Sequence, residues 1–227
     1  MPLQAAVKLR EYWAALTLNL TLGTTVFGMR NALLPLYVVE VLHRGPAMSS
    51  IGFLISTVAQ VSLQRTAGRF TDSRGRRPAL TIGAAGLVTA LGAIMLVETL
   101  PMYVGYMALL GASTAFLGSG SAAVVGDIVA GRKGGPVVST YQMTSDLGMV
   151  IGPLIAGWLR DASKGYTLPF AFAFTFALAM AVQNLVWGLA QPFTGMLADR
   201  FGSWRVMLGG MALFMVFAGP VQELAPV

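Results

Sequence analysis

Between two long apolar runs the chain carries Arg65 and then Gly68-Arg69-Phe70-Thr71-Asp72-Ser73-Arg74-Gly75-Arg76-Arg77-Pro78, which puts five arginines and one aspartate close together. At the centre of a bilayer each arginine would cost about 3 kcal/mol. The segment is therefore expected as an aqueous turn between two membrane helices, and it sets the topology on either side. Gly68 and Gly75 bracket Asp72, so two helix ends are expected to approach closely around a tight turn. The aspartate can then meet an arginine or a helix N-terminus.

Composition agrees with a membrane setting. Hydrophobic residues make up 56% of the chain and charged residues 11%, against about 25% charged in a soluble domain, and mean hydropathy is +0.70. The net charge of +6 does not point to nucleic acid, because the arginines cluster between apolar runs without interleaved aromatics. With no cysteine and the single His43, no metal site, thiol nucleophile or cofactor is expected. A membrane enzyme is a remote reading, since no base, nucleophile or metal cluster stands out beyond His43. The apolar run from Tyr12 to about Val41 is too long for a signal-peptide core, so it reads as an uncleaved first helix.

Taking about 20 apolar residues per crossing, spans are expected near 12–40, 48–65, 79–97, 101–126, 137–159, 166–196 and 206–222. Lys8, Arg10, Arg65, Arg69, Arg74, Arg76, Arg77, Arg132, Lys133, Arg200 and Arg205 then fall on one side, and only Arg44, Arg160 and Lys164 on the other. The positive-inside rule places the N-terminus in the cytoplasm. The protein is thus expected as a multi-pass integral membrane protein of the plasma (inner) membrane.

The segment Gly68–Pro78 resembles the loop between the second and third helices of the major facilitator superfamily, G-x-[LF]-x-D-[RS]-x-G-R-[RK], with Phe70, Ser73, Arg76 and Arg77 in matching places. The resemblance implies a conformational latch of Gly68, Asp72, Gly75, Arg76, Arg77 and Asp127, in which Asp127 at the end of the fourth span approaches Arg76. The alternative for Asp127 is a solvated helix-end carboxylate. Met29-Arg30-Asn31-Ala32-Leu33-Leu34-Pro35-Leu36-Tyr37 is similar to the first helix of drug-exporter-like members. It favours a polar-cavity role for Arg30, although the side chain can also snorkel to the interface.

The fourth span is rich in Gly105, Gly111, Gly118, Gly120 and Gly126, which permit close helix packing. Members of the superfamily often carry an arginine four residues before a glycine there. Met107 stands at that place before Gly111, which weakens a proton-antiport reading.

In the fifth span Gly148, Gly152, Pro153 and Gly157 resemble in part the packing motif of drug-exporting members. Ser139 and Ala156 replace glycines of the fuller pattern. The resemblance implies a rocking surface, whereas small residues four apart also serve generic packing, and Pro153 can bend the helix. Asp146 lies about nine residues into this span, roughly 14 Å deep, too far from the depth of Arg30 for an ion pair. It is expected to face the cavity or the interface between halves, titrated by substrate or proton, or else to be a hydrogen-bonded structural aspartate.

Near the C-terminus Gly195, Asp199, Arg200 and Gly202 repeat the basic motif, with Ser203 and Trp204 replacing its arginine pair. This tail resembles the second helix and loop of monocarboxylate and oxalate-formate type facilitators. The organisation expected is five transmembrane helices in 1–165, a long sixth helix in 166–196 with a fusion, deletion or gene-model junction near residue 180, and a second motif loop and seventh helix in 197–227.

The fold class expected is therefore all-α, a polytopic transmembrane bundle comprising a six-helix N-terminal half of facilitator type plus one extra helix. The implied function is alternating-access transport of a small molecule, as efflux, by a dimer or within a longer transporter. A truncated or chimeric, transport-inactive membrane fragment is the alternative. The partners expected are the lipid bilayer, a small-molecule substrate, and a second copy or a related transporter.

Overall fold

The computed structural model describes residues 3–183 except 97 and 132, all within the unit Met1–Asn184. The seventh span, the end of the sixth, and the second motif with Gly195, Asp199, Arg200 and Gly202 lie outside the described residues, and the junction expected near residue 180 falls at their edge.

A short helix α1 (Leu3–Ala6) precedes α2 (Arg10–Thr21), which runs without a break through a π-helical segment (Leu22–Met29) into α3 (Arg30–Glu40). Together they form the first span. The others are α4 (Ala47–Arg74), α5 (Arg76–Leu96), α6 (Leu100–Val129) and α7 (Gly135–Ser163), followed by α8, the apolar helix Thr167–Gln183. No strand occurs among the described residues. Among the described residues three helices, α4, α5 and α6, are long and apolar enough to cross a membrane.

The bundle packs in two sets. α6 lies against both α4 and α5, while the first span lies against α7. The reason is visible in the residues at each seam, because lipid offers no hydrophobic gain to helix pairing and close van der Waals approach decides it. The residues that α4 buries are Ser49, Gly52, Ser56, Ala67 and Thr71, small side chains three or four positions apart within each of two groups. Gly52 receives the ring of Tyr103, and the backbone of Ser56 abuts Gly111. On the far side of α6, Gly83 and Gly86 of α5 receive Leu117 and Ser113, and Gly120 receives Leu80. Gly105, Gly118 and Gly126 meet nothing within 4 Å, so only part of the glycine-rich pattern of this helix is used for packing.

Leu34, Val38, Leu87, Ile94, Tyr106, Met107, Leu110 and Leu117 form the centre of the main core. A smaller core at the opposite end joins Tyr12, Leu16, Val125, Val137 and Tyr141. There the first span is tied across by hydrogen bonds: the Tyr12 hydroxyl donates to the Val137 carbonyl at 2.7 Å and Asn19 Nδ2 to the Tyr141 carbonyl at 2.6 Å. The Tyr141 hydroxyl in turn meets Ser121 Oγ at 2.7 Å. Buried polar groups are thereby satisfied where water is absent.

One expectation is corrected by this architecture. The segment Gly68–Pro78 is not a turn throughout, because α4 continues to Arg74 and α5 begins at Arg76. Gly68 sits inside α4 with open space beside it. A helix emerging from lipid keeps its backbone hydrogen bonds and carries its arginines outward on long stems. The reversal is left to Gly75 alone.

Candidate functional site

At the basic end of the bundle Gly75 has φ 96° and ψ 164°, and its N–H donates to the Thr71 carbonyl. This region of backbone space is essentially reserved for glycine. Gly75→Ala is expected to cost about 1–3 kcal/mol, read as a lowered thermal midpoint in detergent, while Gly68→Ala should be neutral or slightly stabilising.

Beyond that turn Arg76 Nη2 lies 2.8 Å from Asp127 Oδ1, with the side chains 33% and 58% exposed. Arg76 opens α5 and Asp127 falls in the last turn of α6, so each charge sits at the unfavourable end of its helix dipole and pairing offsets both. A pair this exposed contributes about 0–1 kcal/mol, weak enough to break and reform. Asp72, in the last turn of α4, and Arg77 are exposed, and neither has an ion-pair partner among the described residues.

Midway along the bundle the first span and α7 cross through four glycines. A Cβ on Gly148 would stand 2.6 Å from Thr24 N and 2.7 Å from the Leu20 carbonyl; one on Gly152 would stand 2.8 Å from Gly28 Cα. Gly23 faces the Ser145 carbonyl. Gly23 and Gly28 both belong to the π-helical segment, whose i→i+5 hydrogen bonding returns residues five apart to one face. On α7, the α-helical spacing of four does the same. Pro153 lies within α7, its ring near Gly28.

This geometry corrects the grouping expected for α7. Gly148 and Gly152 are buried inside the bundle rather than on a free rocking face, and Gly157 lies on the exposed side with nothing within 4 Å. Gly23 and Gly28 had no assigned partner in the sequence, and their spacing of five obscured a shared face because it matches no α-helical repeat.

Arg30 is half-buried where the first span meets α4. Its Nε and Nη2 donate to Asn31 Oδ1, each at 3.3 Å, and Nη1 donates to Ser56 Oγ at 3.2 Å. The guanidinium lies 5.2 Å from the centre of the Phe53 ring. Asp146 is exposed on α7. The contact of Ser145 with Gly23 sets it near the level of that glycine, about 10 Å along the axis from Arg30, so the structure does not bring these two residues together.

Sequence reasoning missed a third cluster, at the rim opposite Asp127, where the first span ends. Arg160 Nη2 donates to both Glu40 oxygens at 2.6 and 2.7 Å, and the Tyr166 hydroxyl donates to Glu40 Oε2 at 2.7 Å. Arg160 lies 5.4 Å from the centre of the Tyr166 ring, which itself meets Tyr37 edge-on. The cluster fastens the first span, α7 and the start of α8. The only sequence signal was the charge of Glu40 and Arg160 at span ends.

The Major Facilitator Superfamily family model matches residues 16–189. Multidrug resistance protein 1 of Bacillus subtilis (strain 168) is 26% identical over 140 residues, 61% of this chain and 36% of that relative. The chain thus matches about a third of the relative's length. Basic turn, glycine crossing and family match agree: this integral membrane protein belongs to the Major Facilitator Superfamily.

Proposed function

We propose that the chain is the N-terminal half of a small-molecule transporter that works by alternating access, exporting its substrate from the cytoplasm as a dimer or within a longer chain. Asp146 carries the reading. It is exposed on α7 beside exposed Met143, Leu147, Met149 and Val150. A carboxylate at that depth is expensive against lipid, so this face belongs against protein or along a water-filled path, as in a transporter whose two repeats enclose a midplane site.

In this reading 1–165 supplies five helices of the half, 166–196 the sixth, and 197–227 a second motif loop and further helix. The positive rim faces the cytoplasm, in the plasma (inner) membrane. Gly75 and Arg77 shape the latch there, Arg76 and Asp127 form its internal pair, and Asp72 awaits a partner from the opposing half. A carboxylate in the last turn of α4 is disfavoured by the helix dipole, and an opposing positive group would relieve it.

The match to a multidrug resistance protein favours export of small organic molecules. The test is efflux from proteoliposomes by protein whose oligomeric state has been measured in mild detergent. Substrate-dependent flux from a dimer or a longer chain supports the proposal. A monomer without flux leaves the transport-inactive fragment as the reading.

A further inference from the structure

We infer that the polar cluster around Arg30 is a binding site for the anionic group of a small organic acid, the class of substrate this half accepts. The inference rests on the transport reading for its biological role, but the binding itself does not depend on it. Arg30 has five N–H donors. Nε, Nη2 and Nη1 each use one, on Asn31 and on Ser56. One N–H remains on each terminal nitrogen, the fork that a carboxylate, sulfonate or phosphate takes bidentately.

No ion pair of Arg30 exists among the described residues, where the acidic partners of ion pairs are Asp127 and Glu40. An unpaired charge within a span calls for a counter-ion.

A second observation points to the same cluster. Tyr103 of α6 is 1% exposed, and its hydroxyl has no hydrogen-bond partner among the described residues. That hydroxyl packs on Gly52, one helical turn from Ser56 on α4. A buried donor left unmade costs about 1–3 kcal/mol, which an anionic oxygen would remove. Ser49 Oγ, on the same buried stripe of α4, also lacks a partner among the described residues. Phe53 beneath the guanidinium supplies an apolar wall for the body of the acid, so charge recognition and an apolar surface converge, as in small-molecule sites generally.

The experiment uses the full chain in nanodiscs of neutral phosphatidylcholine, with benzoate, benzenesulfonate, benzyl alcohol and benzyltrimethylammonium as probes. Binding is read from the thermal midpoint and by titration calorimetry. Benzoate and benzenesulfonate should stabilise the protein, whereas the neutral and cationic probes should not. Arg30→Gln should abolish the response. Arg30→Lys keeps the charge but loses the fork and should weaken benzoate by about tenfold or more; it also serves if Arg30→Gln does not fold. Tyr103→Phe should weaken benzoate severalfold without loss of fold.

Equal stabilisation by benzyl alcohol, an unchanged benzoate response in both Arg30 variants, or no response to any anion overturns the inference. Added phosphatidylglycerol should leave the benzoate shift in place, and its disappearance would assign the fork to a lipid headgroup instead. Anion binding without flux in proteoliposomes removes the transport reading and leaves the site standing.

Discussion

Gly152→Val is expected to abolish the folded protein, while Gly157→Val on the same helix leaves it nearly unchanged. The contrast isolates packing from propensity, since both variants place the same β-branched residue in α7. At Gly152 a Cβ would lie 2.5 Å from the Thr24 carbonyl oxygen, 2.8 Å from Gly28 Cα and 2.9 Å from Met29 N. All three are backbone atoms of the first span. They cannot rotate aside, so the two helices must separate, and the neighbouring contacts at Gly23 and Gly148 open with them.

Overpacking by a single methylene costs about 1–3 kcal/mol where side chains can adjust; three added carbons against rigid backbone exceed that, within a total stability of about 5–15 kcal/mol. At Gly157 an added Cβ meets nothing within 4 Å among the described residues, and only the propensity difference remains, under about 1 kcal/mol. Size-exclusion profiles and thermal midpoints in mild detergent measure both. A Gly152→Val protein that elutes and melts like wild type would show that the first span and α7 do not cross at this point.

Asp146→Asn is expected to lower efflux from proteoliposomes by at least about tenfold, equivalent to 1.4 kcal/mol, with the thermal midpoint unchanged. The separation of the two effects follows from geometry. Asp146 is exposed and makes no hydrogen bond or ion pair among the described residues, so its amide removes no internal contact. A carboxylate on that face instead acts toward whatever covers it, by meeting substrate or proton or by pairing with the opposing half. Unchanged flux in the variant removes Asp146 from the transport cycle. A lowered midpoint with unchanged flux would assign it a structural role.

The sequence alone determined the membrane setting, the order of helices and the family resemblance, because each depends on local quantities. Apolar length decides what can cross a bilayer, charge decides what must leave it, and the spacing of Gly75, Arg76 and Arg77 survives as a motif without knowledge of neighbours. The same local reasoning failed where helix and turn compete. Gly68 and Asp72 are compatible with either, and the helical hydrogen bonds of α4 prevailed up to Gly75.

Only the tertiary structure decided which glycines meet. Gly148 and Gly152 find Gly23 and Gly28 more than a hundred residues away, across a π-helical stretch whose repeat differs from that of α7. It also decided that Arg30 is held by Ser56 and Asn31 while Asp146 is left open, and that Glu40, Arg160 and Tyr166 join three elements at one rim. Such pairings depend on the relative rotation and depth of separate helices, which are set by backbone contact at small residues and are written in no single segment of the chain.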